Sequence, residues 1–512
     1  MTAPLKRAAT RAGASLALGA ICILLASCTS AGQSSSESGD EAILHVARAE
    51  SFEGWDPDRA AAYGTFQTLQ GVLEPLVRVT PDGTGLAPGL AESWTFDPAA
   101  LTWTFVLRDR LLFSDGSDLT SEDVAFSAGV WAEGPNVGSL YANIASVATP
   151  DDRTVVFSFS TPDTTFPVLM TWSSSAIFPS DFGGKTKDEY FAAPVAAGAF
   201  VVADWSPGGK TILEKNAHYY EPGRPYLDRV VIDVLPDATE RSAQYLAGQI
   251  DISEYVSPID AAAYGEALVA LPASQVEHLS FNTTRAPLDD ERARQGIAYA
   301  IDYESIIAGA FKGYGSEPQG IVPPNLENWV PPTRKPYALD RAEAVGLLDE
   351  SGFDASEPLE LIYDSANPTD ALVAQIIKAN LDEVDVEVTL SPQETGVFLS
   401  RAYGLDADMV LWSTGAISPD VVDPLGVFAG GDWLFSGYET ETITQQYLDY
   451  TKASTPQEKQ QIVQAVQDDT LVSANVISLA EYQVLHAVSD RVSGFTAAPW
   501  GMYYWDTIKV DE

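Results

Sequence analysis

The sequence predicts a mixed α/β protein with several sheets and more than one hydrophobic core, and three observations carry that prediction. The chain has 512 residues, too many for one ordinary core. Hydrophobic residues make up 46% and charged residues 20%, a globular composition. Runs of period-two alternation are interleaved with helix-period runs along the body.

The N-terminus comes first. Lys6, Arg7 and Arg11 precede an apolar run from Leu16 to Leu25. That run is too short to span a bilayer as a finished helix and fits a secretory signal. It ends in Leu25-Ala26-Ser27-Cys28, which resembles the bacterial lipobox. The resemblance implies cleavage of residues 1–27 and a lipid on Cys28. Residues 28–40 then form a Ser/Gly-rich tether, with a root-mean-square span of roughly 20 Å. Two acyl chains hold a protein stably at a membrane.

Alternation marks strands at Trp103, Phe105 and Leu107, at Val155, Phe157 and Phe159, at Val230, Ile232 and Val234, and at Val386, Val388 and Leu390. Helices are expected between them. Asp340 is placed as an N-cap with Glu343 three residues on, and Gly352 fits the C′ position. Thr120 to Asp123 form a second start signal. A third helix covers 457–472, with Ile462, Val463, Val466 and Leu471 on or near one face. No internal repeat is present.

Charge and cysteine usage exclude several classes. The formal net charge is −43, which repels nucleic acid and anionic headgroups. Cys22 and Cys28 are the two cysteines, so the body has no disulfide. His45, His218, His278 and His486 are too scattered for a paired-histidine zinc site. Gly209-Lys210-Thr211 and Gly184-Lys185-Thr186 imitate a phosphate loop, but Asp204 and Pro179 stand where its first glycine belongs. Leu411 likewise occupies the glycine position of a nucleophile elbow at Trp412-Ser413-Thr414-Gly415. Asp115, Asp118, Glu122 and Asp123 lack calcium-loop spacing and read as a turn plus a helix cap. No catalytic residue, cofactor or metal is expected.

A long match lies at residues 86–128. Leu86-Ala87-Pro88-Gly89-Leu90-Ala91-Glu92-Ser93-Trp94 opens it, Leu101 to Asp109 continues it, and Phe113 to Phe126 reads FSDGSDLTSEDVAF. It resembles the signature of the family 5 solute-binding proteins of ATP-binding-cassette importers, the oligopeptide, dipeptide and nickel class. Gly198-Ala199-Phe200-Val201, Pro225-Tyr226-Leu227-Asp228, Phe281-Asn282-Thr283, Ala300-Ile301-Asp302 and Val492-Ser493-Gly494-Phe495 extend the resemblance over nearly the whole mature chain.

The resemblance implies a two-lobed, periplasmic-binding-protein-like α/β fold of the Venus-flytrap kind, of the large class with an extra sub-domain. Lobe one is expected from residues 41–77, 198–280 and 486–512, the extra sub-domain from 78–197, and lobe two from 281–485. The hinge crossings are expected near Phe281 and Tyr482. The implied ligand is a peptide or other small solute held in the cleft. The implied partners are the permease and ATPase subunits of an importer; the membrane is met through the lipid alone, and the protein is monomeric.

Peptide-binding members hold the ligand main chain like an added strand. The corresponding edge here is Trp412-Ser413-Thr414-Gly415. Several such relatives carry an aspartate three residues after the tryptophan, where it pairs with the ligand's α-ammonium; Gly415 stands there instead. Asp420 or Asp423 is the expected replacement, unless the ligand has no free amine. Arg401 is a candidate for the ligand carboxylate, and Glu50, Phe52 and Trp55 are candidates from lobe one. The tail aromatics Trp500, Tyr503, Tyr504 and Trp505 are expected to close lobe one. Alternatives in other classes are a secreted glycoside hydrolase with two convergent carboxylates and a ligand-sensing lipoprotein.

Overall fold

The alternating segments pair into two large sheets and one smaller one. The computed structural model describes residues 41–511 apart from 61, 354–357, 430–433 and 439–440. The signal and the lipidation position Cys28 lie outside the described residues. Glu41 onwards forms one compact unit.

The first lobe is built on a seven-stranded sheet. Its order is Leu268–Ala270, Leu485–Val488, Ile252–Ser253, Ile43–Arg48, Arg229–Val234, Thr211–Lys215 and Phe200–Trp205. The Ile43–Arg48 strand runs parallel to both of its neighbours. It delivers Arg48 into the interior, where the guanidinium meets Glu254 at 2.8 Å and donates to Thr68 Oγ1 (2.9 Å) and to the Gly64 carbonyl.

The second lobe is built on a six-stranded sheet. Its order is Gly315–Ser316, Val476–Tyr482, Gln275–Phe281, Met409–Gly415, Leu359–Asp364 and Val388–Gln393. All seven residues of Gln275–Phe281 are buried, because strands flank it on both sides. This differs from the boundary expected between 280 and 281: the chain has already crossed between the sheets at 271–274. The return crossing lies at 483–484, beside Tyr482. The crossings are bonded to each other. Leu271 N–H donates to the Val484 carbonyl (3.0 Å), and Gln483 Nε2 donates to the Leu271 carbonyl (2.9 Å).

A four-stranded antiparallel sheet, Ala91–Asp97, Thr102–Leu107, Thr154–Phe159 and Ile144–Asp151, carries the signature hairpin. Phe105, Phe157 and Phe166 pack edge-on or tilted at its centre. The helix Ser121–Ala132 covers it. That helix begins at a reciprocal cap in which Asp123 Oδ2 accepts the Thr120 N–H (2.8 Å). Asp115 accepts from Ser117 N–H (2.9 Å) and closes the turn before it. The acidic crowd is thus a turn and a cap.

Helix starts and stops follow the sequence signals. Asp340 caps Arg341–Ser351 by accepting from Ala342 and Glu343 N–H groups at 3.1 Å each, and Gly352 takes the left-handed φ of 70° that ends it. Thr455 and Glu458 form a capping box at the start of Pro456–Ser473. Of the tail aromatics, Tyr503 and Trp505 join the first lobe's core. Trp500 instead joins a core cluster of the second lobe, at the junction.

Trp412 was expected to wall a cleft, and the structure places it in the core. It is 7% exposed, its indole N–H donates to Ser280 Oγ (2.7 Å), and its ring lies against His278 and Phe435. In the Met409–Gly415 strand its side chain falls on the face that packs inside the second lobe, opposite to Ser413. Trp412→Ala is therefore expected to lower unfolding free energy by about 3–5 kcal/mol. Ligand affinity of the folded fraction should stay within about threefold of wild type. Denaturant melts paired with calorimetry check both halves, and a weakened ligand with unchanged stability contradicts the placement.

Candidate functional site

The two sheets meet at one end of the second lobe's central strands. There Gln275 pairs with Gly415 on one side and Tyr482 on the other. The helix Tyr63–Val72 of the first lobe points its first residue at this place, and the Tyr63 hydroxyl donates to Gln275 Oε1 (3.3 Å). Ser257 of the first lobe and Thr369 of the second come within 3.4 Å through their hydroxyls. These two contacts bracket a seam between the lobes.

The Met409–Gly415 strand has a free edge at the seam. Its ladder with Leu359–Asp364 consists of Leu361↔Met409 and Ile362↔Val410 and goes no further. From Leu411 to Gly415 the strand pairs, among the described residues, on one side alone, with Gln275–Leu279. Ser413 is exposed and Gly415 half-buried, while Thr414 is 7% exposed on the Trp412 face. A Cβ on Gly415 would lie 2.2 Å from the Gln275 amide. That space is filled by the tip of the Gln275 side chain, which also holds Tyr63.

The two candidate aspartates have different surroundings. Asp420 is 3% exposed and fully engaged inside the second lobe: it accepts from Tyr450 Oη (2.6 Å), Val422 N–H (2.8 Å) and Asn328 Nδ2 (3.1 Å). Lys459 Nζ stands 4.0 Å away. Asp420 fastens the loop, and its lone pairs are committed there. Asp423 accepts from Ile417 N–H (2.5 Å) and is bonded by Ser418, but it forms no ion pair among the described residues. Burial pushes its carboxyl up to about 7, against those hydrogen bonds, and the Asp420 charge adds to the rise. Its charge is felt at Tyr63 of the opposite lobe, so Asp423 borders the seam.

Arg401 is placed away from the seam. It grips Glu360 through Nη1 (3.0 Å) and Nη2 (2.7 Å) and donates to the Asp406 carbonyl (2.6 Å). Glu360 is the second residue of the strand whose Leu361 pairs with Met409, at the end of the sheet opposite Gly415. The expectation of a cleft arginine is corrected: two carboxylates of its own lobe saturate it.

From the first lobe, Phe52 and Trp55 are also corrected to core residues. They are 6% and 1% exposed and pack edge-on with Trp205, with centroids 4.6 to 6.4 Å apart. Their aromatic faces pack on one another there, while the indole N–H groups of Trp55 and Trp205 are buried without a hydrogen-bond partner among the described residues. Glu50 differs. Water touches it, yet the protein around it desolvates it and raises its carboxyl above the ordinary range, against the pull of Arg48. It acts on Tyr63, at the seam.

Sequence reasoning passed over Tyr63, Gln275, Glu277, Asp370 and Tyr482, which also gather at the seam. A signal for two of them was present. Gln275-Val276-Glu277 puts polar residues at alternate positions of a segment that ends in Leu279 and Phe281, and a polar residue in a fully buried strand demands a partner. The seam as a whole is acidic: Glu50, Glu254, Glu277, Asp370 and Asp423 border it, and Arg48 is neutralised by Glu254. Among the described residues no group of His, Cys, Asp and Glu has the clustering of a metal site, and no helix is long and apolar enough to cross a membrane.

Residues 85–435 match the model of the bacterial extracellular solute-binding proteins, family 5. The glutathione-binding protein GsiB of Shigella dysenteriae is 25% identical over 96% of this chain and 97% of its own length. The dipeptide-binding protein of Escherichia coli is 24% identical over 90% and 93%. Among solved structures, the periplasmic binding protein DppA from Helicobacter pylori in complex with the peptide STSA superimposes with a TM-score of 0.82. It is 21% identical over 92% of this chain and 98% of that one. AgaA in complex with agropinic acid gives a TM-score of 0.81 at 26% identity, over 92% and 99%. With two lobes joined at paired crossings and a free strand edge on the seam between them, the chain belongs to the bacterial extracellular solute-binding proteins of family 5.

Proposed function

We propose that the protein captures a short peptide or a similar amine-bearing solute in the interlobe seam and hands it to the permease of an ATP-driven importer, without chemistry. The observation that carries this reading is Asp423: a half-buried, desolvated carboxyl with no cationic partner among the described residues, beside the unpaired Ser413–Gly415 edge. An extended ligand adds as a strand along that edge, its main chain supplying affinity that is indifferent to side chains. Its ammonium neutralises Asp423, since Gly415 offers no carboxylate of its own. The DppA and dipeptide-binding relatives supply the analogy for a peptide ligand, and AgaA supplies one for a non-peptide solute. The relatives are binding proteins, so the hydrolase alternative has no support. Cys28, behind its lipobox-like run, anchors the protein to the outer face of the cell membrane, and the tether lets the monomeric body reach the permease.

The charge state of Asp423 makes the reading testable by pH. The empty protein holds the proton below about pH 7. Because that value lies above the ordinary 3.8, the group costs stability progressively as pH rises between the two. An ammonium ligand favours the ionised form, so binding in that window expels a proton. Affinity for an amine-bearing peptide is expected to rise with pH by up to about tenfold per unit until pH 7 and then level off. Asp423→Asn should flatten the profile and cost about 1.5–3 kcal/mol of binding at pH 8. Calorimetry with free and N-acetylated peptides measures it. A variant that keeps the wild-type profile and the preference for a free amine removes Asp423 from the site. Separately, Cys28→Ala should leave the protein unprocessed or released from membranes on fractionation, and a variant that fractionates and migrates like wild type contradicts the anchor.

A further inference from the structure

The free edge has a second neighbour that the ammonium site does not use. Side chains of an extended ligand alternate between the two faces of the sheet it joins. On the Trp412 face of the docking strand the space is filled by the lobe's own core. On the other face Ser413 stands in register with Glu277. Asp370 approaches from the first turn of the helix Pro368–Asp382, next to Thr369, which touches the first lobe. The Asp370 charge acts on Glu277, and both act on Tyr482, whose hydroxyl is tied to Ser413.

These two acids are not explained by the fold. Glu277 is 1% exposed and Asp370 6%. Glu277 Oε1 and Asp370 Oδ1 each lack a hydrogen-bond partner, and neither carboxyl is ion-paired among the described residues. Buried unpaired carboxyls are costly, and two side by side cost more. Burial and their mutual repulsion hold Glu277 well above the ordinary carboxylate range, and burial does the same to Asp370. A cation entering between them removes both penalties. The helix N-terminus then favours the ionised form of Asp370.

We infer that Glu277 and Asp370 form a subsite for a positively charged ligand side chain, a primary ammonium or a guanidinium, lying next to Ser413 on the open face of the docking strand. The inference rests on the strand-addition reading above and narrows its substrate class to basic peptides and solutes of like shape.

The test uses the mature protein and tetra-alanine peptides carrying one lysine, or one norleucine, at each position in turn. Norleucine keeps the length of the side chain and removes its charge. At one position lysine is expected to bind at least tenfold more tightly than norleucine. That preference should fall below threefold in both Glu277→Gln and Asp370→Asn. Norleucine equal to lysine at every position overturns the subsite while leaving the strand-addition reading in place. Failure of every peptide to bind overturns both. A lysine preference that survives in folded variants assigns it elsewhere. The wild-type comparison needs no variant to fold.

Discussion

The structure depends on the chain passing between its sheets twice, side by side. Leu271–Ser274 and Gln483–Val484 are the crossings among the described residues, and their backbones are bonded to each other. The strands they serve, Gln275–Phe281 and Val476–Tyr482, are antiparallel neighbours. Both crossings therefore emerge at one end of one sheet, and a few backbone dihedrals absorb any rotation of one lobe against the other. The ligand site is confined by the same geometry. Gly415 lies beside Gln275, so the free edge of the Met409–Gly415 strand opens where the lobes part.

Electrostatics gives that geometry its selectivity. The seam gathers carboxyls, while the buried Arg48 is spent on Glu254, the Gly64 carbonyl and the Thr68 hydroxyl. Acids are pushed upward there by burial, at Asp423, Glu277, Asp370 and Glu50 alike. An empty seam of this kind holds protons; a cationic guest displaces them. In the proposed function, the free energy of closing comes from the guest's charge as well as from its main chain, and it arises only when both lobes surround it. A ligand that favours the closed arrangement shifts a pre-existing balance by that difference.

Local signals in the sequence were strong wherever a residue's role is fixed by its near neighbours. Asp340, Thr120 and Gly352 cap because the groups they satisfy lie within a turn, and Phe105 and Phe157 alternate because a half-buried strand requires it. The family signature identified the fold for the same reason, being made of a hairpin, a tight turn and a cap. The site was only partly legible. Trp412, Phe52 and Trp55 carry the composition of a binding wall, but their partners, His278, Phe435 and Trp205, are distant in sequence. Arg401 has the charge of a carboxylate clamp, and Glu360, which claims it, is visible only once the strands are stacked. The Gln275 amide beside Gly415 is a contact between strands, which no spacing records. Of the two aspartates left open, Asp423 and Asp420 differ through Tyr450 and Asn328, again contacts made by the fold.

The central claim is that a guest in the seam draws the lobes together, and an interlobe distance measures it directly. Leu246 of the first lobe and Val397 of the second are exposed, at 68% and 48%. Both native cysteines, Cys22 and Cys28, precede the folded body. Spin labels on Leu246→Cys and Val397→Cys in the body expressed as residues 29–512, which carries no other cysteine, report the separation by pulsed electron resonance. With a lysine-containing tetrapeptide at saturation, as verified by calorimetry, the account predicts that a broad distribution collapses to a single shorter distance. A distribution unchanged by bound peptide would contradict it.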